Sequence, residues 1–164
     1  MRLAWYDFSF ELPDAWEASR YSTAAPTGRF EFVDRNGDLG RLSWEHSKRT
    51  PDEERILTEY HRRYLQQHDQ DKASGFSGIK TRRVGQFRVG YRHAGEPCQA
   101  LLHLPECRKS LLWVFPTYTE EQMNRVWAPI LESFKPNSAA MRDWAAFGIA
   151  CALPAGFEVE KAIC

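Results

Sequence analysis

Apolar and polar positions change period several times along this chain, and each change marks an element. Leu111, Leu112, Trp113, Val114 and Phe115 are apolar at both parities, which a strand tolerates when both of its faces are covered, so the run predicts a strand in mid-sheet. Thr119 and Gln122 form a capping-box pair just beyond it, and Met123, Val126, Trp127, Ile130, Leu131 and Phe134 then recur at three- and four-residue spacing, the stripe of a helix laid on a sheet. Pro129 inside that stripe lacks an N–H and crowds the carbonyl of Arg125, which predicts a local kink.

The remaining chain reads in the same way. Tyr6, Phe8, Phe10 and Leu12 alternate with Trp5, Asp7, Ser9 and Glu11, the pattern of a strand over Trp5–Leu12 with one buried face. Pro13 and Asp14 turn the chain, Trp16 returns to the core, and the polar run Ser22–Gly28 is a loop. Strands over Arg29–Val33 and Leu39–His46 flank Arg35-Asn36-Gly37-Asp38, where Asn-Gly predicts a tight hairpin. Thr50-Pro51-Asp52-Glu53 combines a Thr cap, a first-position proline, first-turn acids and a Glu three after the cap, which makes a capping box. A helix to about His68 follows, with Ile56, Leu57, Tyr60, Tyr64 and Leu65 inward and Arg55, Glu59, Arg62, Arg63 and Gln66 toward water. A polar loop over Asp69–Gly78 leads to strands Ile79–Val84, Gln86–His93 and Cys98–Leu104, which with Ser110–Phe115 form a meander. Short turns between successive strands predict an α+β domain, an antiparallel meander sheet covered by two amphipathic helices, one on each face.

Composition narrows the function classes. At 164 residues the chain suits a single core, and 22 Lys plus Arg against 22 Asp plus Glu argues against a protein that coats DNA or an acidic membrane. Met1–Pro13 has no cationic lead into an apolar run, and no apolar stretch approaches membrane length, so the expected setting is soluble and cytoplasmic, with no membrane partner. Cys98, Cys107, Cys151 and Cys164 include no CxxC pair and read as free thiols in a reducing compartment.

The opening FSFELPDAWE, the early helix after a block of strands, the meander and the ending ILESFK resemble the Mog1/PsbP-like domains. The resemblance spans about Trp5–Lys135 and implies an α/β/α sandwich and a binding module. Members of that superfamily bind a small nuclear GTPase, stabilise a photosystem, or act as chaperones and adaptors for secreted effectors. The resemblance implies no one partner. On this reading residues 1–136 are the domain. Residues 137–164 are a linker followed by either the start of a second, truncated repeat or a terminal hairpin of the same domain. Phe147–Glu158 echoes Tyr6–Glu17 at an offset of 141: Leu153 and Pro154 match Leu12 and Pro13, Phe157 matches Trp16, and Glu158 matches Glu17.

Candidate chemistry is sparse. His61 and His68 lie seven apart on the first helix, but no acidic or cysteine ligand completes a metal set, so no metal is expected. There is no GxGxxG, GxxxxGK[ST], HExxH or GxSxG, and no cofactor is expected. Lys72 to Gly95 holds no acid while Lys72, Lys80, Arg82, Arg83, Arg88 and Arg92 are basic. Alternation places Phe87, Val89 and Tyr91 opposite Arg88 and Arg92, and gives Lys80 and Arg82 one face. If those faces align, Lys80, Arg82, Arg88 and Arg92 present a cationic strip to carboxylates on another protein. The competing expectation is that Glu31, Glu45 or Glu96 neutralises them across strands. Nucleic acid would want exposed aromatics among the basic residues, and Phe87 and Tyr91 face the other way. The leading expectation is a non-enzymatic protein-binding or adaptor domain for an acidic partner surface, with a homo-oligomer left open. The alternative is a small enzyme or ligand-binding domain whose cleft is lined by His93, Cys98 and His103.

Overall fold

A computed structural model describes residues 1–5, 7–22 and 27–137, and the backbone of 141–146 and 149–154; the side chain of Asp38 is outside it. Tyr6 of the expected first strand, Phe147, Phe157 and Glu158 of the echo, and Cys164 lie outside the described residues. The class is α+β, with antiparallel strand pairing throughout and few helices.

The first strand departs from expectation. It is a hairpin, β1 (Arg2–Trp5) and β2 (Phe8–Glu11), with Trp5 paired to Phe8 and Arg2 to Glu11. Reversing the chain between Trp5 and Phe8 buries Leu3, Ala4 and Trp5 as well as Phe8, Phe10 and Leu12, which a single alternating strand would not do. The alternation itself survives in β2.

The larger sheet has seven strands. β3 (Glu17–Ser22) is a polar, exposed edge strand that alternation did not reveal. β4 (Gly28–Asp34) and β5 (Gly37–His46) meet at the expected Asn36-Gly37 hairpin. β6 (Lys80–Val84), β7 (Phe87–Tyr91), β8 (Cys98–Leu104) and β9 (Lys109–Phe115) complete the order β3-β4-β5-β9-β8-β7-β6. β9 is central, but only Leu111, Trp113 and Phe115 are fully buried, while Leu112 and Val114 are half-buried on the other face. The smaller sheet runs β10-β2-β1-β11-β12, with β10 (Lys135–Pro136), β11 (Met141–Ala146) and β12 (Ile149–Pro154).

One face of the larger sheet is an aromatic core. Phe10 packs on Trp113 at 5.4 Å and Phe134 at 5.4 Å, Trp5 packs on Phe30 at 5.4 Å, and Trp127 stacks on Phe115 at 4.6 Å. Offset and edge-on pairs of this kind add to the area they bury. Trp127 and Phe134 come from the closing helical segment, which Thr119 caps as expected by accepting from Gln122 N at 3.1 Å. The segment is α3 (Glu120–Gln122), a π-helical turn Met123–Trp127, and α4 (Ala128–Glu132). The π turn ends two residues ahead of Pro129, where the kink is expected.

The opposite face carries α1 (Glu53–His68). Its cap is Asp52, which accepts from Arg55 N at 3.0 Å, two residues past the Thr50 of the expected capping box. Its buried line is Leu57, His61 and Leu65, so the helix is rotated from expectation and Ile56, Tyr60 and Tyr64 are only half-buried. A short α2 (Gln70–Ser74), capped by Asp69, occupies part of the expected Asp69–Gly78 loop. α1 packs chiefly over β7 and β8. Seven strands at about 4.8 Å span roughly 29 Å, against about 10 Å for one helix, so one helix leaves much of that face uncovered. No helix among the described residues is long and apolar enough to cross a membrane.

Candidate functional site

The uncovered part of that face is a cleft of about 920 Å³ between α1 and strands β4, β5 and β9. α1 supplies the wall through Arg55, Ile56, Glu59, Tyr60, Arg63 and Tyr64; Glu31, Arg41 and Val114 lie on the sheet, with Pro97 and Pro116 beyond. The sequence places them by simple periodicities. Tyr60 and Tyr64 are one helical turn apart, and Glu31, Arg41 and Val114 are consecutive partners across β4, β5 and β9, which puts their side chains on one face.

Arg41 is the chemically distinctive group. One of its terminal nitrogens donates to Tyr60 Oη at 3.3 Å. Its Nε is buried and, like those of Arg82, Arg88 and Arg92, has no hydrogen-bond partner among the described residues; Arg41 differs from those three in having no carboxylate partner among the described residues either. The cleft's acids are engaged elsewhere: Glu31 with Arg29 at 3.4 Å and Arg20 at 3.9 Å, Glu59 with Arg62 at 2.7 Å and Arg63 at 2.9 Å. The Arg63 hydrogen bond holds the Glu59 carboxyl below its ordinary range, and the two arginine charges add to this. Arg41 and Arg55 make no ion pair with the described residues. A buried guanidinium Nε–H with nothing to donate to is costly unless a ligand supplies an acceptor. At the far end the half-buried Tyr64 ring lies against the exposed His68 ring, with centroids 4.6 Å apart and the planes tilted by 35°. The arrangement suits a carboxylate carried on an apolar or aromatic body.

The basic residues singled out in the sequence are not brought together as one strip. Arg82 is paired with Val89 across β6 and β7, whereas Arg88 is paired with Arg83, so Lys80 and Arg82 share the face of Phe87, Val89 and Tyr91 and Arg88 faces the other way. The arginines also have partners. Arg82 meets Glu120 at 3.3 Å and lies over the Tyr91 ring, Arg88 and Arg83 share Glu53 at 3.8 Å and 3.1 Å, and Arg92 meets Glu96 at 3.3 Å. Of the acids expected to neutralise the strip, Glu96 does so; Glu53 and Glu120, from the starts of the two helical segments, do the rest. Lys80 is exposed. Sequence reasoning missed Glu53 because it was assigned to the Thr50 capping box, and the shift of the cap to Asp52 frees its carboxylate.

The alternative trio does not converge either. Cys98 is opposite Phe115 in the register and wholly buried on the aromatic face, and burial drives its thiol far above the ordinary range. His103 is on the other face of the same strand, with Nδ1 at 3.2 Å from Ser110 Oγ. His93 lies beyond the end of β7. On α1, His61 is buried under the helix and His68 is exposed, so the two do not face one another. Among the described residues no three His, Cys, Asp or Glu side chains cluster as metal ligands. What sequence reasoning missed is the cleft. Its available signal was the five-residue width of the α1 stripe, with tyrosines at one margin, which exceeds what one line of helix contact buries.

No family model matches the chain, and no curated protein matches it. It is similar to a crystal structure from Bacteroides thetaiotaomicron VPI-5482, with a TM-score of 0.46 and 10% identity, over 84% of this chain and 48% of the other. The chain thus spans about half the length of that neighbour.

Proposed function

We propose that this chain is a binding module of Mog1/PsbP-like architecture that holds an acidic segment of another protein in the α1 cleft. The observation that carries the reading is Arg41, which has neither an acceptor for its buried Nε nor an ion-pair partner among the described residues, in a cleft whose own glutamates are already paired. The placement of α1 and the closing helical segment against opposite faces of the larger sheet supports the sandwich reading, as do the opening and ending motifs. The partner is engaged from the cleft, since Arg82, Arg88 and Arg92 already have intramolecular carboxylates. No step of bond making is assigned to the module.

The test uses fluorescence polarisation with a labelled peptide of alternating glutamate and phenylalanine, and its lysine counterpart as control. Binding of the acidic peptide is expected to weaken about 10- to 100-fold in Arg41→Ala, the loss of one charge-assisted hydrogen bond worth about 1.5–3 kcal/mol. Equal affinity of wild type and Arg41→Ala, or equal binding of both peptides, would overturn the reading. The volume of the cleft also lies within the range of small-molecule sites. This favours as a second reading a free aromatic carboxylate, for which benzoate as competitor is the probe.

A further inference from the structure

The two hairpins of the smaller sheet, β1–β2 and β11–β12, pair in equivalent registers. Shifting the β1–β2 pairs Arg2 with Glu11, Leu3 with Phe10, Ala4 with Ser9 and Trp5 with Phe8 by 141 positions gives Asp143 with Ala152, Trp144 with Cys151, Ala145 with Ala150 and Ala146 with Ile149. All four are observed pairs of β11 and β12. The same offset relates Leu12-Pro13 to Leu153-Pro154 at the ends of the two hairpins. The hairpins meet through β1 and β11, antiparallel, with Ala4 opposite Ala145, and those two residues are themselves 141 apart. A local two-fold axis therefore passes between Ala4 and Ala145 and exchanges β1 with β11 and β2 with β12. A one-residue slip would set Ala4 against Trp144 or Ala146 and abolish the equivalence.

Repeated sequence and matched register are separate observations, and a two-fold pairing of equivalent strands is the geometry of an isologous interface. We infer that the outer edge of β1 is a self-recognising docking edge whose occupant is a copy of the protein's own opening hairpin. Within the chain β11–β12 fills that edge; when it is displaced, the β1–β2 hairpin of a second copy of this chain takes its place, with Ala4 opposite Ala4. Main-chain hydrogen bonds supply the attraction, as in strand addition generally, and the register supplies the selectivity. The inference goes beyond the cleft and does not depend on it.

Two experiments on the full chain, both with Cys107→Ser, Cys151→Ser and Cys164→Ser, test it. Ala4→Cys with Ala145→Cys is oxidised with copper phenanthroline. Directly opposed residues of an antiparallel pair lie about 4.5–5.5 Å apart at Cα, within disulfide range. The expected product is an intramolecular bridge that migrates faster without reductant. Failure to bridge in the folded chain overturns the two-fold pairing. The second experiment displaces β11 with Ala145→Pro or, separately, Trp144→Pro, which remove ladder donors of opposite direction, in a chain carrying Ala4→Cys. Whichever variant keeps its circular dichroism spectrum is expected to double its mass by light scattering and to give a covalent dimer on oxidation. A folded variant that stays monomeric, or a dimer that does not bridge through position 4, overturns docking of a second copy. If neither proline variant folds, the Ala4→Cys chain is oxidised in sub-denaturing urea, where a covalent dimer through position 4 is expected and a chain that stays monomeric overturns docking of a second copy.

Discussion

His61 Nε2 lies 3.4 Å from the carbonyl oxygen of Gly90, on the buried line of α1 where the helix crosses β7. The contact fixes how α1 sits. Gly90 has no side chain to hold the helix away, and a Cβ there would come within 3.1 Å of Leu57 Cβ and 3.0 Å of Ile79 Cδ1. Close approach at Gly90 anchors α1 over β7 and β8, and the same anchoring leaves the cleft open on the other side.

That burial makes stability depend on pH. Desolvation pushes the His61 imidazole below its ordinary 6.5, and the nearby Arg92 charge acts in the same direction against the Gly90 carbonyl and Glu96. The unfolded chain takes up a proton as the pH falls through about 6.5 and the native chain resists, so the contribution is present above that pH and is lost below it. Urea unfolding is expected to show stability falling between pH 7.5 and pH 5.5 by up to about 1.4 kcal/mol per pH unit from this group. The His61→Leu chain is expected to have a shallower slope over that interval, and an unchanged slope would contradict the assignment.

Gly28 lies against the Trp44 ring, and a Cβ there would overlap it. Trp44 itself packs on Phe8 at 5.5 Å and Phe30 at 5.6 Å, so it has little room to move. Gly28→Ala is expected to cost about 1–3 kcal/mol by overpacking, read as a lower urea midpoint with an unchanged slope.

Arg92, just past the end of β7, and Arg83 of β6 are expected to contribute differently to stability. Arg92 and Glu96 are only 14% and 13% exposed, and removing one partner leaves the other charge buried. Arg92→Ala is expected to cost about 3 kcal/mol. Arg83, 54% exposed in its pair with Glu53, is expected to cost under about 1 kcal/mol when changed to Ala. Thermal unfolding of the two variants checks the order, and equal losses would contradict it.

The sequence was legible where one local rule acted without competition. The Asn36-Gly37 hairpin, the Thr119 cap and the strands of the meander followed from turn chemistry and alternation and stand where those rules put them. It was misread where two rules competed. Thr50 and Asp52 both make good caps, and the choice of Asp52 released Glu53 to Arg83 and Arg88. The alternation through Tyr6–Leu12 concealed a chain reversal between Trp5 and Phe8, because Leu3 and Trp5 of the preceding strand are apolar as well. The candidate site was the least legible part. Arg41, Tyr60 and Val114 are unremarkable on their own elements, and only the lateral placement of α1 on a broad sheet brings them to one cleft.

The central claim is that the cleft at Arg41 takes an acidic segment, and the most direct measurement is an NMR titration of the isotope-labelled chain with the glutamate–phenylalanine peptide. Saturable shifts are expected at the Arg41 Nε–H resonance and along Ile56, Tyr60 and Tyr64, absent with the lysine peptide. Shifts confined to Lys80, Arg82, Arg88 and Arg92, with Arg41 unmoved, would contradict it and return the binding face to the strands.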